Sequence, residues 1–331
     1  MVVDRRTDSA AWYEYADSDV SLVTQWDDGR HAGPGPGTLA TSSSSQPTTL
    51  FTLLRELDAQ AGMQVLDAGT GTGETAALLT HRCGARMVTT IDVDPTVAAQ
   101  ARERLYRHGL YADVAVGDAL NGCSSDVPYD RVLFTFGVRS IPAAMLDRVR
   151  TGGIIVAPYG THYDSRDAVL RLTVDGDCAA SGRFVTGVEF MKARAQRTVW
   201  PDHADYVSEW PGPTGTVVQP DQLTDAGFCI GLAVSGVTHT LFREEDGSLA
   251  AWFYSLTDRS WAAVRWPTEY GPGIVYQHGP RLLWGAVEAA VQWWQEQGAP
   301  AVGRFGLTVT PQTATPWLDD PGHVLPGGQW R

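Results

Sequence analysis

Lysine is almost missing from this chain, which has one, Lys192, among its 25 basic residues. The 38 acidic residues outnumber the basic ones and leave a formal net charge of −13 at pH 7. A protein that binds nucleic acid or an anionic membrane needs a basic surface to neutralise phosphates. We therefore expect neither kind of partner.

Closely spaced cysteines are missing as well. Cys83, Cys123, Cys178 and Cys229 are far apart in the sequence, whereas zinc sites and redox motifs need cysteines within a few residues of each other. The eight histidines form no pair at helical spacing with a carboxylate nearby. We expect no metal, and four buried cysteines that pack as small hydrophobic side chains.

Long apolar runs are the third absence. No run of about 18 apolar residues is present that could span a bilayer, and the N terminus lacks the charged-then-apolar pattern of a signal peptide. A cytoplasmic protein is the expectation. With 331 residues and 43% hydrophobic content, the chain is long enough for one large domain or two ordinary ones.

What is present in residues 47–160 is an alternation of β-rich runs and segments of helical spacing. The β-rich runs are 64–68, 87–92, 113–118, 130–136 and 153–159. The helical segments are 74–82, 95–108 and 142–150, with Pro95 and Pro142 at the first helical position. Residues 168–191 predict an antiparallel strand pair with a turn at 175–177. This pattern predicts a doubly wound, Rossmann-like α/β fold with an antiparallel edge.

The two flanking regions have a different composition. Residues 1–46 mix turn formers with short apolar runs and predict an arm or lid. Ten of the 12 tryptophans lie from Trp200 onward, where a hairpin signal at Asp246-Gly247, a helix over 281–298 and a strand over 304–310 are predicted. We therefore divide the chain into an arm (1–46), an α/β domain (47–199) and a tryptophan-rich α+β module (200–331).

The sequence DAGTGTG, residues 67–73, follows a predicted strand and opens a predicted helix. Gly69, Gly71 and Gly73 permit a tight turn and a close approach of the backbone to a ligand. A dinucleotide fingerprint would be GxGxxG, and the third glycine here comes one position earlier. That spacing favours a nucleoside ligand without a pyrophosphate.

Acidic residues end the next two predicted strands. Asp92 lies 19 residues after Gly73, where a carboxylate accepts hydrogen bonds from ribose hydroxyls, and Asp118 lies where an adenine ring would bind. Alone, GxGxG is often only a turn and a strand-end aspartate is more often a cap. Together they predict that the 47–199 domain binds S-adenosylmethionine, with S-adenosylhomocysteine as product, through Asp67, Gly69, Thr70, Gly71, Gly73, Asp92, Asp118 and Ala119.

A run of serines, TSSSSQPTT at 41–49, comes shortly before this loop. Pro47 suits the first helical position and four leucines at 50, 53, 54 and 57 form one apolar face, so Ser45 or Gln46 is the predicted N-cap. Free N–H groups at the positive end of this helix would be a place to hold a carboxylate near the cofactor. The alternative is a plain N-cap serine with a flexible lead-in.

The segments VLDAGTGTGETAALL, IDVD, GDA and YDRVLFTFGVRSIPAAMLDRVRTGGIIVAPYG resemble the protein-L-isoaspartate O-methyltransferases, over about residues 12–190. The resemblance implies a carboxyl O-methyltransferase with a class I S-adenosylmethionine-dependent fold. The family's Thr-x-Ser-x-Pro segment is matched by residues 43–47, and its substrate-contacting serine falls on Ser45. Ser44, Gln46 and Thr48 are candidates for further substrate contacts, and Thr48 stands where the family pattern usually has histidine.

The chemistry of carboxylate methylation makes few demands on the protein. An aspartate with a pKa of about 3.9 is already ionised and nucleophilic at neutral pH, so no general base is required. Catalysis then consists chiefly of holding the carboxylate oxygen in line with the methyl group. The lack of an identifiable His–Asp or Cys–His pair in the sequence is consistent with this reaction.

The enlarged chain, with its serine run and tryptophan-rich tail, is similar to isoaspartyl-methyltransferase homologues that modify ribosomally made peptides such as lanthipeptides and graspetides. Ordinary family members are expected to end near residue 200–220. The resemblance implies a macrocyclised precursor peptide as substrate, recognised by the 200–331 module. Methylation of its aspartate gives an ester that closes to an aspartimide, whose hydrolysis gives isoaspartate. Two alternatives stay open: a general isoaspartate repair methyltransferase, and a peptide-recognition protein that binds S-adenosylmethionine without turnover.

Overall fold

The computed structural model describes residues 3–33, 35–123, 128–176, 178–207, 210–267 and 271–327. The chain forms two compact units. The first comprises Met1–Pro158, Val169–Ser181 and Phe190–Ala193, and the second comprises Tyr159–Ala168, Gly182–Glu189 and Arg194–Arg331. The functional division at 46/47 and 199/200 stays a prediction.

The first unit begins with a helix and two strands: α1 (Ser9–Ala16), β1 (Leu22–Trp26) and β2 (Ala40–Ser44). The strands β1 and β2 are antiparallel, with Leu22 opposite Ser44. Helix α2 (Pro47–Leu57) follows, with Gln46 as its N-cap and Pro47 in its first turn, as predicted. Its apolar face is fixed by burial of Leu50, Leu53 and Leu57, because leucines at this spacing share one side of a helix.

Five parallel strands form the centre of this unit: β3 (Val65–Ala68), β4 (Val88–Asp92), β5 (Asp113–Val116), β6 (Tyr129–Phe134) and β7 (Val149–Gly160). Their order is β5-β4-β3-β6-β7. Helix α3 (Glu74–Cys83) connects β3 to β4, α4 (Pro95–Arg107) connects β4 to β5, and α5 (Ala143–Leu146) precedes β7. The predicted doubly wound α/β fold is confirmed. The strand order reverses between β3 and β6, and ligands bind at such a switch point, beyond the carboxyl ends of the strands.

Strand β8 (Asp167–Val174) lies beside β7, and β9 (Ala180–Val188) follows it. The turn between them is closed by a hydrogen bond from the Asp175 amide to the Ala179 carbonyl, 2.8 Å long. Residue 177, the last of the predicted turn, lies outside the described residues. The strand pair expected within 168–191 is therefore present.

Two predictions about this unit were wrong. The helix expected over 142–150 is one turn, because Val149 already pairs with Tyr129 in the sheet and Gly152 has a positive φ of 77°. Pro142 is its N-cap and not its first helical residue. Cys178 is exposed, since it lies at the turn that joins β8 to β9, whereas the other three cysteines are buried.

The second unit contains a five-stranded antiparallel sheet with the order β10-β14-β13-β12-β11. Its strands are β10 (Thr214–Thr216), β11 (Val237–Arg243), β12 (Leu249–Ser255), β13 (Trp261–Trp266) and β14 (Gly273–His278). The helices are α6 (Pro220–Asp225), α7 (Gly227–Ala233) and α8 (Leu283–Glu296), and β15 (Phe305–Val309) pairs with β16 (Ala314–Leu318). The predicted hairpin at Asp246-Gly247, the helix within 281–298 and the strand within 304–310 are confirmed.

Alternate residues of this sheet face opposite sides. One side carries Phe253, Val264 and Trp266, which are buried in one apolar cluster with Trp284 and Val287 of α8. The indole N–H of Trp266 donates to the Val218 carbonyl at 2.9 Å. Four tryptophans of this region are buried and account for part of the enrichment by core packing: Trp261, Trp266, Trp284 and Trp317.

Within the described ranges, no helix is long and apolar enough to cross a membrane. The same residues contain no cluster of three or more histidine, cysteine or acidic side chains arranged to hold a metal ion.

Candidate active site

The glycine-rich loop joins β3 to α3 at the point where the strand order reverses. Gly69, Gly71 and Gly73 have φ values of +104°, +51° and +87°, which side chains disfavour. A β-carbon on Gly69 would lie 2.5 Å from the Thr135 hydroxyl, which follows β6. One on Gly73 would lie 3.3 Å from the β-carbon of Ala101 in α4. Gly69 and Gly73 therefore permit close packing of neighbouring elements, and Gly71 faces the serine run at 41–49.

Asp67 lies beneath this loop and is completely buried. Its Oδ2 accepts a 2.8 Å hydrogen bond from the Thr90 hydroxyl. The Thr90 proton is thereby used, so Thr70 donates to Thr90 at 2.8 Å. Among the described residues Asp67 Oδ1 has no partner, and burial raises the pKa of this carboxyl to about 7. Asp67 thus supports the loop through two threonines.

Asp92, at the end of β4, is held by two backbone donors. The Gly71 amide donates to Oδ2 and the Asp94 amide to Oδ1, each at 3.0 Å. Both oxygens keep a further lone pair, and the side chain is only partly buried, so it can accept two adjacent hydroxyls of a ribose. Val93, which follows, is 44% exposed and offers an apolar surface for a planar ring. The sequence interpretation missed Val93, although an apolar residue directly after the strand-end acid was a usable signal.

Asp118 follows β5, the strand that pairs with β4. Its Oδ1 caps the short 3-10 helix Ala119–Asn121 by accepting from the Leu120 amide at 2.9 Å. Its Oδ2 makes no hydrogen bond to the described part of the chain, and Ala119 is buried. Asp92, Val93 and Asp118 therefore share one edge of the sheet, and two hydrogen-bond acceptors beside an apolar side chain fit a nucleoside.

The serine run lies against the glycine-rich loop. A β-carbon on Gly71 would meet the main-chain oxygen of Ser43 at 3.5 Å and the Ser42 hydroxyl at 3.8 Å. The Ser44 hydroxyl donates to Glu74 Oε2, at the start of α3, at 2.5 Å. The predicted proximity of the serines to the cofactor loop is therefore present in the fold.

A second tie joins the β1–β2 pair to the turn after β4. The side-chain amide of Gln25 makes two hydrogen bonds. Its Nε2 donates to Asp94 Oδ2 at 2.9 Å, and its Oε1 accepts from the Thr41 hydroxyl at 2.8 Å. Asp94 is also the N-cap of α4, accepting from the Thr96 and Val97 amides. The strand β2, which carries the serines, is thus attached near both of its own ends, through Thr41 and Gln25 to Asp94 and through Ser44 to Glu74.

The N terminus of α2 is not free, contrary to expectation. The Thr48 amide and hydroxyl donate to the two carboxylate oxygens of Asp19 at 2.8 and 2.7 Å, and the Gln46 side chain donates to Oδ2 at 3.1 Å. These hydrogen bonds, above all the one from the Thr48 amide, lower the pKa of Asp19. The Ser45 hydroxyl, by contrast, makes no hydrogen bond to any described residue. Asp19 and Glu74 were missed because their partners lie about 30 residues away in sequence, so no local pattern reveals them.

The family model for protein-L-isoaspartate(D-aspartate) O-methyltransferase matches residues 14–197 of this chain. A protein-L-isoaspartate O-methyltransferase of Xanthobacter autotrophicus is 35% identical over 151 residues, 45% of this chain and 65% of the relative. One of Polaromonas sp., enzyme 2 of that name, is 31% identical over 154 residues, 46% of this chain and 72% of the relative. The matched part of the chain thus spans about two thirds of these relatives.

A solved structure of a protein-L-isoaspartate O-methyltransferase superposes on 90% of this chain and 85% of its own, with a TM-score of 0.53 and 19% identity. At that identity the likeness concerns the fold, which is the class I S-adenosylmethionine-dependent methyltransferase fold. Only about a tenth of the chain lies outside the match, so most of the second unit has a counterpart there. That solved member thus continues beyond the point near residue 200–220 where ordinary family members are expected to end. By its family-model match, the chain belongs to the protein-L-isoaspartate(D-aspartate) O-methyltransferase family.

Proposed function

We propose that this chain is a methyltransferase that transfers the methyl group of S-adenosylmethionine to the side-chain carboxylate of an aspartyl or isoaspartyl residue. The observation that carries the proposal is the contact between the serine run and the glycine-rich loop, where Gly71 faces the Ser43 carbonyl. In the family pattern this run contacts the acceptor, and the loop contacts the cofactor. Their contact brings acceptor and methyl donor to one place.

The cofactor, when bound, supplies a methyl group made electrophilic by a positively charged sulfur. Asp92 would hold the ribose hydroxyls, and Val93 and Asp118 would bracket the adenine ring. Gly69, Thr70 and Gly71 would form the backbone floor, and Asp67 would keep that floor in place through Thr90. The two side-chain oxygens of Asp92 suit this role because they can accept hydrogen bonds from hydroxyls.

The acceptor carboxylate would be oriented by the Ser45 hydroxyl. The bound cofactor would supply the methyl group to a carboxylate oxygen held there, with the electron pair of the carbon–sulfur bond left on sulfur, so that S-adenosylhomocysteine would be the product. No proton moves in this step, so the protein needs no general base. Its contribution is to align the oxygen and exclude water.

The narrower proposal concerns the acceptor, which we take to be an aspartate of a macrocyclised ribosomal precursor peptide. Its ester would close to an aspartimide that hydrolyses to isoaspartate. Two features support this choice. Thr48 replaces the usual histidine, and the second unit presents Trp210, 59% exposed, edge-on to Trp252, Trp261 and Tyr276 at ring distances of 5.7, 5.4 and 5.2 Å.

The proposed division of labour follows the predicted boundaries. Residues 1–46 would cover the acceptor site, 47–199 would bind the cofactor and 200–331 would recognise the peptide. A second unit alone does not identify a peptide-tailoring enzyme, since the solved family member with 90% coverage is similar across most of it. The choice between tailoring and general repair therefore depends on acceptor preference.

The test supplies the full chain with S-adenosylmethionine and one of three acceptors: a linear isoaspartyl peptide, its aspartyl counterpart, or a side-chain-bridged peptide with an aspartate in the ring. S-adenosylhomocysteine and peptide mass are followed together. We expect methylation of the bridged aspartyl peptide and then loss of methanol as the aspartimide forms. Equal or faster methylation of the linear isoaspartyl peptide would favour the repair enzyme. Tight peptide and cofactor binding with no S-adenosylhomocysteine would favour a silent binding protein.

A further inference from the structure

Two carboxylates of the chain hold the serine run on either side of Ser45. On the N-terminal side, Glu74 accepts the Ser44 hydroxyl at 2.5 Å. On the C-terminal side, Asp19 accepts the Thr48 amide, the Thr48 hydroxyl and the Gln46 side-chain amide at 2.7–3.1 Å. These partners come from the start of α3 and from the segment before β1, so the fold brings both to one short loop.

Asp19 replaces the usual N-cap contact of α2. Gln46 is the N-cap residue, yet its side chain makes no capping hydrogen bond, and an external carboxylate takes the Thr48 amide instead. A negative charge at this end of a helix is stabilised by the helix dipole and the free N–H groups. The amide that could have bound an acceptor carboxylate is therefore already in use.

The Ser45 hydroxyl lies between these two fixed points, partly buried and without a hydrogen bond to any described residue. The Ser44 hydroxyl already donates its hydrogen bond to Glu74, and the Thr48 amide and hydroxyl both donate to Asp19. An incoming carboxylate needs donors, so of Ser44, Ser45 and Thr48 only Ser45 still offers a side-chain proton.

We propose that Asp19 and Glu74 are positioning residues that fix Ser44–Thr48 and direct the acceptor carboxylate to Ser45. The inference rests on the proposed carboxyl methylation. Neither residue contacts the acceptor, and each acts through the residue it holds. Two negative charges beside the site also repel a carboxylate that approaches the end of α2, which narrows the productive orientation.

The test compares Asp19→Ala and Glu74→Ala with Asp19→Asn and Glu74→Gln, which keep an acceptor oxygen. Asp17→Ala and Glu103→Ala are matched controls, since Asp17 is exposed and Glu103 forms a surface ion pair with Arg107, one turn further along α4. Three quantities are measured: amide hydrogen exchange of residues 42–50, the Kd of S-adenosylhomocysteine, and the Kd of a linear isoaspartyl peptide with S-adenosylhomocysteine bound.

The alanine variants are expected to exchange faster in residues 42–50 and to bind the peptide about tenfold more weakly, because ordering this loop would then cost part of the binding free energy. Their S-adenosylhomocysteine Kd should stay within about twofold of the wild type, and the Asn and Gln variants should recover most of the peptide affinity. Unchanged exchange in both alanine variants overturns the positioning role. If the wild type methylates neither this peptide nor the bridged aspartyl peptide, the proposed function fails, and hydrogen exchange alone decides whether these carboxylates order the loop.

Discussion

At the residue scale, two aspartates beside the glycine-rich loop lie in opposite environments. Asp67 is fully buried with one hydrogen-bonded oxygen, and its pKa is raised to about 7. Asp92 is partly exposed and receives two backbone amides. The sequence places both at strand ends and assigns both to the cofactor, since pattern alone does not reveal burial. The buried Asp67 is therefore suited to supporting the glycine-rich loop, and the partly exposed Asp92 to contacting a ligand.

Asp67→Asn should change how stability depends on pH. The carboxyl has a pKa of 3.8 when unfolded and about 7 when folded, because of burial first and the Asp92 charge last. The wild-type free energy of unfolding is therefore greatest below the unfolded pKa and falls as pH rises through the folded one, by at most about 1.4 kcal/mol per pH unit. Asparagine does not titrate, so the variant lacks this loss of stability. The melting temperature of the variant minus that of the wild type should therefore increase as the pH is raised from about 5 to about 8. Parallel curves would contradict the burial argument, and exposed Asp113→Asn is the control.

Asp92→Ala should weaken cofactor binding. The carboxylate would accept hydrogen bonds from the ribose hydroxyls, and a hydrogen bond to a charged group contributes about 1.5–3 kcal/mol. We expect an S-adenosylhomocysteine Kd higher by on the order of 10- to 100-fold in calorimetry. Asp113→Ala, at the opposite end of the neighbouring strand β5, should leave the Kd unchanged. Equal affinity of the Asp92 variant and wild type would mean that the nucleoside binds elsewhere.

At the element scale, local signals predicted what local interactions form. Pro47 and Pro95 start α2 and α4, and Asp94 caps α4 through two amides. The helix over 142–150 failed because the apolar residues there have helical spacing, yet Val149 gains more by pairing in the sheet. The contact of Asp19 with the N terminus of α2 could not be predicted from local sequence, since it forms only when the chain before β1 folds back.

Gly69→Ala tests the turn that joins β3 to α3. Gly62 is a matched control, because it also has a positive φ, +81°, but a β-carbon there meets nothing within 4 Å. Gly62→Ala should cost about 1–2 kcal/mol for the left-handed conformation alone. Gly69→Ala should cost more in urea unfolding, since its β-carbon would also strike the Thr135 hydroxyl and the Phe136 ring at 2.5 and 2.9 Å. It should also weaken S-adenosylhomocysteine binding, whereas Gly62→Ala should not. Equal losses of stability in the two variants would show that the Thr135 side chain can move away from the new β-carbon at little cost.

At the scale of the whole molecule, the alternation of strands and helices was enough to predict the fold class. Parallel strands in one sheet must be joined by crossover connections, usually helices, and these are almost always right-handed. Few arrangements of the strands are therefore possible. The course of the chain after Gly160 was harder. Tyr159–Ala168 and Gly182–Glu189 belong to the second compact unit, while Val169–Ser181 between them belongs to the first. No composition change marks these crossings, because strands β7, β8 and β9 continue through them.

The net charge of −13 makes a prediction that no single residue carries. An acidic acceptor peptide approaches a molecule of the same sign, so its association is slowed at low salt. Raising ionic strength from about 0.01 M to about 0.1 M shortens the screening length from about 30 Å to about 10 Å. The kcat/KM for an acidic acceptor should therefore rise severalfold over this range, stay level for a neutral acceptor and fall for a basic one. A fall for the acidic peptide would instead mean that a local cluster of arginines at the acceptor site outweighs the overall charge.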